Sequence, residues 1–154
     1  MLIVLLAALA LSGCASPTPT AAPTAAPTAT PVPGPVVMTI NGSVSTPLAL
    51  TLAVLQAMPQ QPVNASYVKN NQTMYVTGSG PLLNALLGQA GVSSSATNVT
   101  FLASDGYKKT VTLSTVTGTA NATIMINSDG TLRDIIPGQA ANTWVSNLTA
   151  ITIS

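Results

Sequence analysis

An Asp105-Gly106 pair set between two β-rich runs constrains this chain more than any other feature. The runs are residues 99–103 and 110–113, built from Val, Thr, Phe, Leu and Ala. Asp-Gly in that setting predicts a hairpin closed by a type I′ turn, which requires positive φ at both central residues. Just upstream, the sequence predicts a helix over residues 81–90. Pro81 suits its first position, Leu82, Leu83, Leu86, Leu87 and Ala90 form one apolar stripe, and Gly91 suits the stop. Helix, loop and hairpin make the expected folded centre, a scaffold with little chemistry of its own.

The flanking sequence reads as short elements of the same kind. Residues 36–40 form a first strand ended by Asn41-Gly42, and residues 47–50 are extended. Thr51 caps a short helix over residues 52–57, stopped by Pro59 and Pro62. Residues 63–69 and 74–77 alternate as two strands around Asn70-Asn71. After Gly78-Ser79-Gly80 come the helix and central hairpin. Strands follow near 123–126 and 131–136, then the turn Pro137-Gly138 and a last strand at 148–153. The expected class is α+β, mostly β, with short helices, over residues 36–154, long enough for a real core.

The N-terminal part is different in kind. Residues 2–11 are continuously apolar, too short to span a bilayer and suited to a signal-peptide core. Leu11-Ser12-Gly13-Cys14 then resembles a lipobox, so residues 1–14 read as a lipoprotein-type signal with Cys14 as the lipidated residue. One departure is that no Lys or Arg precedes the apolar run. Residues 15–35 repeat Pro among Thr and Ala, a composition that cannot bury a core and stays extended. At about 3.1 Å per residue such a linker holds a domain on the order of 65 Å from its anchor. Its threonines are candidate O-glycan sites. The expected location is extracytoplasmic, membrane-anchored at the cell surface.

Composition excludes much chemistry. Net charge is +1 and only 5% of residues are charged, so there is no basic field for nucleic acid. Ser, Thr and Asn must make the surface. His is absent and Cys14 is the single Cys, which excludes an intrachain disulfide, a Cys/His metal cage and Ser-His-Asp or Cys-His catalysis. Glu is absent too, leaving Asp105, Asp129 and Asp134. Asp105 and Asp129 both sit in Ser-Asp-Gly, which turn formation explains better than catalysis or calcium binding. Asn41, Asn64, Asn71, Asn98, Asn121 and Asn147 stand in N-glycosylation sequons. Lys108, Lys109 and Arg133 are the candidate anion site, weighed against plain solvated charge, which three cations without a Gly-rich loop favour. Tyr67, Tyr75 and Tyr107 read as half-buried strand positions that could also stack on a sugar or pterin ring, and Trp144 as core.

Taken in order, these fragments resemble the molybdopterin-binding domain of the sulfite oxidase type, in short lipoprotein-like versions, over nearly all of residues 36–154. The resemblance is carried by Ile40-Asn41-Gly42-Ser43-Val44, Pro47-Leu48-Ala49-Leu50-Thr51-Leu52, Met58-Pro59, Gly80-Pro81-Leu82-Leu83-Asn84-Ala85-Leu86-Leu87 and Ala90-Gly91-Val92. It continues through Ala103-Ser104-Asp105-Gly106-Tyr107, Leu132-Arg133-Asp134-Ile135-Ile136-Pro137-Gly138, Trp144-Val145 and Leu148-Thr149-Ala150-Ile151. It implies a sulfite-oxidase-type mixed sheet or barrel. Active members hold molybdenum with a Cys thiolate after the strand matching residues 63–68; the position here is about Lys69, and an ammonium cannot replace a thiolate on that metal. Of the family's phosphate-gripping cations, Arg133 falls on a family arginine, with Lys108 and Lys109 nearby. The stretch between Ile126 and Leu132 is also short for the pattern.

The expectation is a lipid-anchored binding or structural module that has lost metal chemistry. No cofactor is expected, and molybdopterin only if the family's activity is kept. Partners are the membrane through the lipid, an unknown cell-surface protein or a glycan, and no nucleic acid. The alternatives are a molybdopterin-binding oxidoreductase or electron-transfer accessory, and a β-grasp-like glycan-binding domain.

Overall fold

The computed structural model describes residues 34–154, so Cys14, the apolar run before it and nearly all of the Pro/Thr linker lie outside the described residues. The element order is β1 (Val36–Gly42), β2 (Leu48–Thr51), α1 (Leu52–Ala57), β3 (Gln60–Lys69), β4 (Gln72–Pro81) and α2 (Leu83–Ala90). It continues with β5 (Asn98–Ala103), β6 (Lys108–Thr112), α3 (Leu113–Thr117), β7 (Thr123–Ile126), β8 (Leu132–Ile135), a 3-10 turn (Ala141–Thr143) and β9 (Leu148–Ile153). The strands form a five-stranded sheet in the order β2-β1-β9-β5-β6 and a four-stranded sheet in the order β3-β4-β7-β8. Among the described strand pairs only β1–β9 is parallel. This is the mostly β, α+β architecture that the residue patterns predict.

Strand alternation explains where the core sits. Met38 and Ile40 of β1, Val99 and Phe101 of β5, and Ile151 and Ile153 of β9 share one face of the larger sheet. They meet Ile124 and Leu132 of the smaller sheet in one apolar cluster. Helix α2 closes it with Leu83, Leu86, Leu87 and Ala90, the stripe read from sequence. A second, smaller cluster lies on the other face of the four-stranded sheet: Val63, Met125, Ile135 and Trp144, with Ala65, Tyr67 and Val76 packed on it. Trp144 is therefore core, in this satellite cluster.

Local chemistry decides the details. Thr51 caps α1 by accepting a hydrogen bond from the Val54 N–H. Gly91 ends α2 in the left-handed region, at φ 63°. Three local expectations need correction. First, Pro81 does not open α2; it is the last residue of β4, opposite Gln60, and the helix starts at Leu83. Gly78 and Gly80, read from sequence as the lead into the helix, lie inside that strand. A Cβ at Gly80 would collide with the Ile124 carbonyl and one at Gly78 with the Met125 side chain, so these glycines permit close strand packing.

Second, the Asp105-Gly106 hairpin forms, but its turn is not type I′. Leu102 pairs Lys108, Ala103 N–H donates to the Tyr107 carbonyl at 2.9 Å, and Gly106 N–H donates to the Ala103 carbonyl at 3.1 Å. Gly106 has φ 87° while Asp105 does not reach positive φ. This is a three-residue loop with its left-handed residue at the glycine, and Asp105 Oδ1 accepts from the Tyr107 N–H at 2.9 Å instead of entering that region. Third, residues 110–113 do not stay extended: Thr112 accepts from the Thr115 N–H and caps the short α3.

Candidate functional site

Arg133 is the one sequence-predicted site residue with a built environment. β8 places it opposite Met125, on the outer face of the smaller sheet, with Ile135 two residues on. Its guanidinium carbon lies 5.8 Å from the Trp144 ring centroid and 6.0 Å from that of Tyr67. The two rings meet edge to face at 5.7 Å and 81°. Both distances fall at the limit of cation–π attraction. Trp144 is fixed because its indole N–H donates to the Ile136 carbonyl at 3.1 Å. The Tyr107 hydroxyl donates to the Asn142 carbonyl at 3.1 Å, tying the central hairpin to the 3-10 turn that leads into Trp144. Arg133 Nε is buried and has no hydrogen-bond partner.

Lys108 and Lys109 do not join this site as a pair. They are consecutive on β6, so their side chains leave opposite faces of the sheet. Lys109 stands opposite Phe101 and is half-buried. Lys108 stands opposite Leu102 on the other face and is exposed. Arg133 belongs to the other sheet. Lys69 ends β3 opposite Gln72.

The acids divide cleanly. Asp105 and Asp129 act as turn acceptors. Asp129 takes hydrogen bonds from the Thr131 hydroxyl at 2.7 Å and the Thr131 N–H at 2.9 Å, which hold its carboxyl below the usual range. Those bonds close the tight β7–β8 turn. Asp134 is fully buried on the core side of β8, opposite Ile124, with Oδ2 unpartnered. Burial pushes its carboxyl up to about 7, against the lowering effect of the Val145 and Asp134 N–H groups and of Arg133. Composition marks it as one of three acids without assigning it a role. The signal was present, since alternation along Leu132, Asp134 and Ile136 puts the carboxylate on the core face.

Of the sequon residues, Asn41, Asn64, Asn71, Asn121 and Asn147 are exposed and Asn98 is half-buried. Asn71 lies in the β3–β4 turn and Asn147 just before β9, both at positive φ. Asn41 accepts from the Thr152 hydroxyl at 2.9 Å. A groove of about 520 Å³ lies between α2 and α3, lined by Asn84, Leu87, Val92, Ser93, Leu113 and Thr117, none of them a predicted site residue.

These residues do not fit a molybdopterin centre. Among the described residues no group of three His, Cys, Asp or Glu side chains could hold a metal. The described residues hold no Cys to supply a thiolate. The cations that would hold the pterin's phosphate are split between two sheets, and only Arg133 has a shaped setting. What that setting can do is receive one anionic group.

No family model and no curated protein sequence matches the chain. Among solved structures, its fold matches the crystal structure of the sulfane dehydrogenase SoxCD from Paracoccus pantotrophus, with a TM-score of 0.65 and 18% identity. The match covers 75% of this chain and 37% of that one, so the chain spans well under half of the solved relative. The likeness shows the fold: a coarse molybdopterin-oxidoreductase-like fold of the sulfite oxidase type, α+β and mostly β.

Proposed function

We propose that the chain is a lipid-anchored, extracytoplasmic binding module that keeps the molybdopterin-oxidoreductase fold without its redox chemistry. Its ligand presents one anionic group, a phosphate, sulfate or carboxylate, to Arg133. The observation that carries this reading is the Arg133 guanidinium set beside the Tyr67 and Trp144 rings with Nε buried and unpartnered. A guanidinium is a planar fork of donors matched to such oxyanions, and flanking rings fix its plane. The absence of His from the chain and of Cys from the described residues supports a role in binding over electron transfer. Anchoring through Cys14 and glycans on the sequon asparagines belong to the same reading, and rest on sequence.

Trp144 is the single Trp of the chain, so its fluorescence reports the site directly. Titration with inorganic phosphate or sulfate changes that emission in a saturable way. Arg133→Gln abolishes the response, and Lys108→Gln leaves it intact. An emission unchanged by either anion, or a response that survives Arg133→Gln, overturns the assignment.

A further inference from the structure

The β3–β4 hairpin carries backbone that the other described residues do not pair with. Asn70 and Asn71, at φ 49° and 60°, make a two-residue turn between Lys69 and Gln72. In such a hairpin the residues flanking the turn form a hydrogen-bonded pair, and bonding then alternates along the strand. The N–H and C=O groups of Thr73, Tyr75 and Thr77 therefore point away from β3. Ser79 is next in that series, and it is where β7 pairs, opposite Ile126. β7 ends at Ile126, so among the described residues no strand pairs with Thr73, Tyr75 or Thr77. The same arm leaves Tyr75 78%, Val68 71% and Met74 43% exposed.

The two edges of this arm differ. On β3 the outward positions include Pro62, which has no N–H to offer, a common way to blunt an edge. Residues 73–77 on β4 hold no charge, no Pro and no Gly. They read Thr73-Met74-Tyr75-Val76-Thr77, a near-palindrome about Tyr75. An antiparallel strand of the same sequence would set Tyr75 against Tyr75, Thr73 against Thr77 and Met74 against Val76. The free groups coincide with that register, since Thr73, Tyr75 and Thr77 are the outward residues.

We propose that this segment of β4 pairs antiparallel with its copy in a second molecule, about a two-fold axis at Tyr75. Such an interface is isologous and closes at two copies, so it makes a dimer and not a fibre. Cross-strand Thr–Thr and aromatic pairs favour the register, and no like charges oppose it. The contact is short, so the dimer is weak and exchanges readily.

The test uses the full chain in mild detergent, carrying Cys14→Ser to remove the native thiol. Adding Tyr75→Cys gives a disulfide-linked dimer under oxidation, because a hydrogen-bonded pair holds its Cα atoms about 5.5 Å apart, within disulfide reach. Val68→Cys, at a similarly exposed site, does not link, because the pairing puts the two copies of residue 68 three strand spacings, roughly 14 Å, apart across the sheet and about as far again along it. In sedimentation, Tyr75→Pro removes the central outward N–H but not the β3 ladder bonds, and raises the dimer dissociation constant at least tenfold. A chain that stays monomeric at all concentrations, or that links equally well through residues 68 and 75, overturns the proposal. So does a dimer unaffected by Tyr75→Pro.

Discussion

Asp134 and Val145 are tied by a reciprocal pair of hydrogen bonds. The Asp134 N–H donates to the Val145 carbonyl at 3.2 Å, and the Val145 N–H donates to Asp134 Oδ1. The pair clamps β8 to the segment that carries Trp144 and leads into β9. It therefore sets the height of the Trp144 ring beside Arg133. The cost is a carboxyl group inside the core with one oxygen unpartnered.

That carboxyl makes stability depend on pH. Its folded value, about 7, lies above the ordinary 3.8. The neutral form is the one the fold favours, so its contribution is full below pH 4 and is lost as pH rises through 7. Asp134→Asn keeps an acceptor for the Val145 N–H and removes the titration. Thermal melts should show the wild type losing stability between pH 4 and 7, with the variant flat over that range. Above pH 7 the variant should be the more stable, by at most on the order of 4 kcal/mol. A wild type whose melting point is constant or rising from pH 4 to 7 removes this role for Asp134.

The central turn yields a second expectation. Gly106 sits at φ 87° with no atom within 4 Å of where a Cβ would stand. A substitution there costs backbone strain and no collision. Gly106→Val should lower stability by about 1–3 kcal/mol, and Gly106→Asn by clearly less, because Asn tolerates the left-handed region. Equal losses for the two variants, measured by urea unfolding, would show that backbone strain is not what Gly106 relieves.

The anchor rests on Leu11-Ser12-Gly13-Cys14 and is checked in the native cell. The wild type should partition into detergent, and Cys14→Ser should release it or leave the precursor unprocessed. Stable anchoring needs more than one acyl chain, so mass spectrometry of the mature N-terminus should find at least two. A mature N-terminus elsewhere, without lipid, contradicts the assignment.

Much of the fold was legible because it depends on local, periodic signals. The α2 stripe, the Thr51 cap, β7 and β9 follow from apolar spacing and capping chemistry alone. The errors have two causes: close tertiary approach at one site, and local side-chain hydrogen bonds at the turns and caps. Gly78-Ser79-Gly80 reads as the lead into a helix, yet close approach of β7 makes it strand. Asp105-Gly106 suits a type I′ turn, yet the Asp105 side chain takes the Tyr107 N–H and one residue more enters the loop. The turn with positive φ at both central residues is Asn70-Asn71, where no such side-chain bond intervenes. At the site, Arg133 was legible as a cation on a strand. Its two aromatic neighbours were not, because Tyr67 and Trp144 come from distant segments and meet only through the sheet and the Ile136 carbonyl.

The central claim is a molybdopterin-oxidoreductase fold that binds without metal chemistry. Charge-assisted contacts contribute about 1.5–3 kcal/mol each, and one shaped guanidinium supplies too few to hold a large, hydrated pterin phosphate. The most direct measurement is the molybdenum content of protein purified from its native membrane, alongside the Arg133→Ala variant. Substantially less than one molybdenum per chain is expected, with no sulfite-oxidising activity. Near-stoichiometric molybdenum that is lost on Arg133→Ala would contradict the account.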